Sequence, residues 1–298
     1  MNISNWLWII LLGVIWGFSF PFNAILLQEL GPFWISAGRV SVGALGSWVV
    51  LLLLKQSIPS DISLIAKIFM VGIITYAIPF ALFPLAQMHL SSGVASIINA
   101  MTPITTVIVS HFWIGGEKAT WNKTLGVGAG FAGAAILAIP ALQNGGTSQL
   151  WAMSLAFFAT LCYAWSLNYI RTLPKTNPAV MATLALTGAS FAAIIAALIF
   201  EGQPVITQGQ TWFALLTIGL VMTTFAFQIM FKILPQVGAT NFSITTFIAP
   251  ISAIILGAIW LNESLLPSHF IGMACIFLGL ILIDGRFVKR WRKDKQRQ

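Results

Sequence analysis

Residues 93–133 read GVASIINAMTPITTVIVSHFWIGGEKATWNKTLGVGAGFAG, and residues 238–279 read GATNFSITTFIAPISAIILGAIWLNESLLPSHFIGMACIFLG. The second stretch repeats the first. Glu117, Gly126 and Gly133 recur as Glu263, Gly272 and Gly279, with the same spacings of nine and seven. A proline, Pro103 or Pro250, precedes each Glu by fourteen or thirteen residues. Farther out, Trp16-Gly-Phe-Ser pairs with Tyr163-Ala-Trp-Ser, Pro32 with Pro178 and Gly93 with Gly238. These pairs share an offset near 146 residues, so residues 1–140 and 149–284 are expected to be two copies of one unit, followed by a basic tail, 285–298.

The composition says where such units live. Of 298 residues, 58% are apolar and 7% are charged, and the mean hydropathy is +0.91. Soluble domains carry about 25% charged residues, so a water-facing surface is excluded and an all-α polytopic membrane protein is expected. A span needs about 20 mostly apolar residues. Parsing by length and polar punctuation gives ten: Trp6 to Leu27, Phe33 to Leu54, Leu64 to Met88, Gly93 to Ile114, Lys123 to Ile139, Gln149 to Ile170, Pro178 to Phe200, Trp212 to Ile233, Val237 to Leu261 and Pro267 to Ile283. Trp6 to Leu27 is the first span rather than a secretory leader, because no Lys or Arg precedes it and it exceeds an h-region in length.

Basic residues test the count, since loops on the cytoplasmic side retain Lys and Arg. With both termini cytoplasmic, fourteen of the fifteen Lys and Arg side chains lie on the inner side and none lies in an outer loop. Arg39 alone is left within a span. The net charge of +8 is thus a topology signal and does not indicate nucleic acid. Cys162 and Cys275 lie in separate apolar runs, so neither a disulfide framework nor a thiolate metal site is expected.

Five spans per copy is an odd number, so the second copy enters the membrane from the opposite side as an inverted repeat. Inverted halves suit alternating access around a central site, although duplicated bundles also form channels. The paired units resemble the EamA repeats of the drug/metabolite transporter superfamily: a Trp/Tyr-Gly/Ala start, a proline in the fourth helix, a Glu at its end, and Gly-x6-Gly in the fifth. Arg39, seven residues after Pro32, sits where that family places an Arg; Ala185 replaces it in the second copy. The resemblance, nearest to the YddG-type exporters of aromatic amino acids, implies a bacterial inner-membrane carrier. It implies a monomer without a cofactor that exports amino acids or related small metabolites; a carrier for another metabolite or drug is the alternative.

Polar residues inside spans are costly and tend to face a bundle interior. Ser92, Ser96, Asn99, Thr102, Thr106 and Ser110 form one helical stripe, which fits either close helix packing or a cavity wall. Pro103 frees the carbonyl of Asn99 and invites a kink. The first span contributes Trp16, Ser19 and Asn23, and the sixth Tyr163, Trp165 and Ser166. The third contributes Tyr76, Pro79, Phe83 and Gln87, with His89 beyond; the eighth contributes Thr224, Gln228 and Lys232. Aromatic faces, amides and hydroxyls together suit a zwitterion with an apolar side chain. Arg39 fits two readings, a counter-charge for the substrate or a side chain reaching the outer interface.

Glu117 and Glu263, at helix ends on opposite faces, are expected to cap or pair locally. With no Asp or Glu inside a span, a carboxylate proton relay is not expected; coupling through a histidine and unassisted flow down a gradient both stay open. Paired catalytic groups, a phosphate loop and a metal cluster are absent from the spans, so no enzymatic activity is expected.

Overall fold

A computed structural model describes residues 3–143, 146–242 and 244–284; the basic tail, 285–298, lies outside the described residues. Helices are joined by short turns. They are α1 (Ile3–Leu26), α2 (Pro32–Leu53), α3 (Ile62–Gln87), α4 (Ser92–Asn99 continuing as Thr102–Phe112), α5 (Trp121–Gln143), α6 (Thr147–Ile170) and α7 (Pro178–Glu201). Next come α8 (Gly209–Leu216, Thr217–Phe225 and Ala226–Phe242), α9 (Thr245–Leu261) and α10 (Pro267–Asp284). Among the described residues nine helices are long and apolar enough to cross a membrane, and the 17-residue α9 is a shorter apolar helix.

One boundary differs from the sequence reading. The eighth helix does not stop near Ile233; it runs on through Phe242, and α9 starts at Thr245 rather than Val237. Ile229, Ile233 and Val237, four residues apart, all bury into one cluster, so a single apolar face continues across the expected connector.

Packing follows the two copies. α5 lies against α10 and α2 against α7, and these pairs of equivalent helices run antiparallel. Gly126 meets Gly279 and Gly133 meets Gly272, where a Cβ on any of the four would stand 2.5–2.8 Å from the partner's carbonyl oxygen. In a bilayer, where lipid is as apolar as a side chain, such close backbone approach supplies much of the helix–helix attraction. Between α2 and α7 the hydroxyls of Ser41 and Ser190 are 2.6 Å apart, and Trp48 Nε1 donates to Thr187 at 3.0 Å. The remaining main contacts come in matched pairs: α1 with α9 and α6 with α4, α3 with α7 and α8 with α2.

Two local departures from α-geometry occur at equivalent places. Ile73–Ala77 in α3 and Thr217–Phe225 in α8 are π-helical, a rare geometry that frees and redirects backbone groups. α4 breaks at Ala100 and Met101, just before Pro103, and Thr102 Oγ1 donates to the freed Asn99 carbonyl at 2.7 Å. Outward faces remain apolar, with Leu45, Val49 and Leu52 on α2 and Phe191, Ile195 and Ile199 on α7 all exposed, as lipid contact requires.

Candidate functional site

Both π-helical segments flank α2 at the level of Arg39. This guanidinium is buried, at 7% exposure. Its Nε donates to Thr223 Oγ1 at 3.1 Å and its Nη2 to Ser19 Oγ at 3.3 Å, while the guanidinium carbon stands 3.8 Å above the Phe80 ring. Thr223 in turn donates to the Ile218 carbonyl, five residues back, a bond that the π-helical turn supplies. Next to it Thr224 donates to the Gly43 carbonyl of α2 at 3.0 Å, and Ser36 donates to the Ala77 carbonyl in the other π-helical segment at 2.8 Å.

The cation therefore rests on neutral acceptors and a ring face. Among the described residues the one ion pair joins Lys123, in the first turn of α5, to Glu117 in the loop before it, so no carboxylate among them neutralises Arg39. A buried charge without an opposite charge is costly. Two of its five donors are engaged, which leaves a forked donor suited to a planar carboxylate.

Aromatic side chains surround this group. Tyr76 packs against Phe80 and Phe227, with ring centroids 5.8 and 5.4 Å apart, and Trp16 joins the same cluster. Phe83 stacks with Tyr163 at 6.4 Å and meets Phe20 edge-on at 5.5 Å. A cation held among hydroxyls and rings, at the junction of both halves, can bind an anionic group while the rings cover an apolar one.

A family model for EamA-like transporters matches residues 4–139 and again 150–284. The chain belongs to the EamA-like transporter family. Relatives match it over most of its length. A Bacillus subtilis (strain 168) protein named the uncharacterized transporter YoaV is 24% identical over 95% of this chain and 97% of its own. A Streptantibioticus cattleyicolor protein, named a probable terminal-alkyne amino-acid exporter, is 22% identical over 98% of each chain. One crystal structure, 17% identical, superposes with a TM-score of 0.63 over 95% of this chain and 98% of its own, which is a likeness of fold.

Within this EamA-like bundle the residues singled out by sequence divide. Arg39 meets Ser19 and Phe80, with Trp16 and Tyr76 in the Phe80 cluster, and Phe83 and Tyr163 stack on each other beside Phe20, the residue after Ser19. Trp165 stacks on Tyr169 at 4.7 Å and meets Trp113 near the basic-loop end. His89 is exposed against Trp151, at the opposite end. Gln87 is occupied, donating to the Phe20 carbonyl at 2.8 Å and to Ser92 at 3.3 Å while accepting from Asn23 at 3.0 Å. The Thr102 and Thr106 hydroxyls bond to carbonyls of their own helix, so that part of the α4 stripe is spent locally, while the neighbouring Thr105 also donates across to the Thr160 carbonyl of α6 at 3.1 Å. Asn99 and Gln228 are half-buried.

Phe80, Thr223 and Phe227 escaped the sequence reading. An α-helical projection of α8 aligns Thr224 with Gln228, but the π-helical turn adds a residue and brings Thr223 to Arg39 instead. Thr223→Val keeps the shape and removes the acceptor. Its expected cost is about 1.5–3 kcal/mol, a hydrogen bond to a charged group, read as a weakened transport KM with normal protein in the membrane; an unchanged KM removes Thr223 from the site.

The ends of the bundle differ in charge. Between α4 and α5, a hydrogen bond from Lys123 holds the Glu117 carboxyl below the usual carboxylate range, helped by the Lys123 and Arg171 charges. A cavity of about 320 Å³ opens beside it, lined by Trp113, Ile114, Gly115, Gly116, Asn168, Arg171 and Thr172. At the opposite end, hydrogen bonds from Thr207 and Thr211 hold the Glu29 carboxyl low.

Proposed function

We propose that the chain is a carrier that exports amino acids with apolar or aromatic side chains across a bacterial inner membrane. The single observation behind this reading is Arg39, buried without a carboxylate partner among the described residues and ringed by Ser19, Thr223, Phe80 and Tyr76. The substrate carboxylate completes the pair. Aromatic faces of Tyr76, Tyr163 and Trp16 then take the side chain and the ammonium. The Streptantibioticus relative, named a probable terminal-alkyne amino-acid exporter, supports the same reading at 22% identity.

Ten spans with both termini in the cytoplasm carry the site, α9 counted among them. Supporting this are fourteen basic residues on one side against none in the loops of the other. Residues 1–140 and 149–284 form an inverted pair, a reading supported by the antiparallel runs of α5 against α10 and α2 against α7. Exchange between these halves gives alternating access in a monomer without a cofactor, with residues 285–298 as a cytoplasmic tail near anionic lipid.

Proteoliposomes loaded with unlabelled phenylalanine or leucine test the reading. Saturable counterflow of the labelled amino acid is expected, blocked by other apolar amino acids and not by the matching amines that lack a carboxylate. Equal competition by those amines overturns the carboxylate reading. Saturable flow of an unrelated solute leaves a carrier for another metabolite, and flow that never saturates indicates a channel.

A further inference from the structure

Three carboxylates at one end of the bundle all do the same thing. Glu201, closing α7, accepts from the backbone N–H groups of Phe33 and Trp34 at the start of α2, at 3.0 and 2.9 Å. Glu263, after α9, accepts from the N–H groups of Ser92 and Gly93 at the start of α4, at 2.9 and 3.5 Å. Glu29, after α1, accepts from the N–H groups of Thr207 and Gln208 leading into α8 and from the hydroxyls of Thr207 and Thr211. Each carboxylate belongs to one half of the chain and caps a helix of the other. Unpaired N–H groups and the helix dipole make a helix N-terminus a good partner for an anion.

At the basic end the equivalent carboxylate is used differently. Glu117, the counterpart of Glu263, bonds Lys123 of its own half, beside the 320 Å³ cavity. Across the halves toward that end, the contacts include the exposed Asn177 amide donating to Gln56, the Thr183 hydroxyl donating to the Ser47 carbonyl at 3.3 Å, and the Arg171 charge near Glu117. From Glu263, moreover, a chain of bonds leads inward. The Ser92 hydroxyl accepts from Gln87, which holds Asn23 and the Phe20 carbonyl, next to the Ser19 that binds Arg39.

We propose that Glu29, Glu201 and Glu263 form the outer latch of the transport cycle, and that this structure is the conformer shut toward the outside. The halves part on that side when the carboxylates release the opposite helices. This inference rests on the orientation given under the proposed function, with the basic end inside.

The test uses the full chain with Cys162 and Cys275 replaced by Ser and a reporter Ser19→Cys beside Arg39. A membrane-impermeant thiosulfonate is applied to right-side-out and to inside-out vesicles. With the latch intact, slow labelling from outside is expected. Glu201→Gln with Glu263→Gln is expected to speed it about tenfold or more, the shift that follows loss of a charge-assisted hydrogen bond, while inside-out labelling slows. Asn177→Ala at the other end is expected to leave outside labelling unchanged. Outside labelling that is unaltered in the double variant, with inside-out labelling also unaltered to show a folded chain, overturns the latch. Fast labelling of the latched chain from outside alone overturns the orientation instead, and with it the assignment of these carboxylates to the outer face.

Discussion

Arg39→Gln is expected to reduce export of apolar amino acids by about 10- to 150-fold, with the protein still inserted and folded. The range follows from losing charged hydrogen bonds of about 1.5–3 kcal/mol to a substrate carboxylate. Gln keeps donors toward Ser19 and Thr223, which hold the native guanidinium at 3.3 and 3.1 Å. Stability need not fall, because a buried cation without an anion destabilises the empty carrier and its removal relieves that cost. The combination separates the readings: a slower, equally or more heat-stable carrier marks Arg39 as a substrate contact. Normal efflux removes it from the mechanism. Arg39→Lys is expected to rescue little, because a point charge does not reproduce the fork or the stack over Phe80.

A larger structural effect is expected at the crossing of α5 and α10. Gly133→Leu puts a Cβ 2.6 Å from the Gly272 carbonyl oxygen and 2.9 Å from the Ile276 nitrogen, both backbone atoms that cannot turn aside. The helices must separate, at a cost of about 3 kcal/mol or more, the upper part of the overpacking range. Gly128, five residues away on the same helix, has nothing within 4 Å of its built Cβ. Gly128→Leu is therefore expected to match the parent in thermal unfolding in detergent, while Gly133→Leu melts well below it. Equal melting of the two variants rejects the close crossing.

Gly126, Gly133, Gly272 and Gly279 stood out in the sequence by matched spacing alone, and the crossing supplies their reason. Pro103 likewise marked the break in α4, since its ring cannot accept the preceding turn. The site was less legible. Ser19 on α1 and Arg39 on α2 carry nothing in sequence that names each other, and they meet because α1 and α2 pack beside α8. Gln87 and Thr102 looked like cavity groups, yet their polar atoms are used within the bundle. Periodicity reports which face is polar and is silent on whether the partner is a substrate, a neighbouring helix or the residue's own backbone. Thr223 was beyond reach, because a π-helical turn changes the period that the reading assumes.

By itself the sequence determined the class: charge scarcity placed the chain in lipid, basic loops ordered its segments, and an offset near 146 residues revealed the doubled unit. Hydropathy and repeat spacing are local along the chain, so no tertiary information was needed. Only the tertiary structure decided that Arg39 has hydroxyls and a ring for company and no acid among the described residues. It also decided that three glutamates cap helices of the opposite half. Those are contacts between residues 20 to 184 positions apart, set by how helices cross and where two of them change pitch.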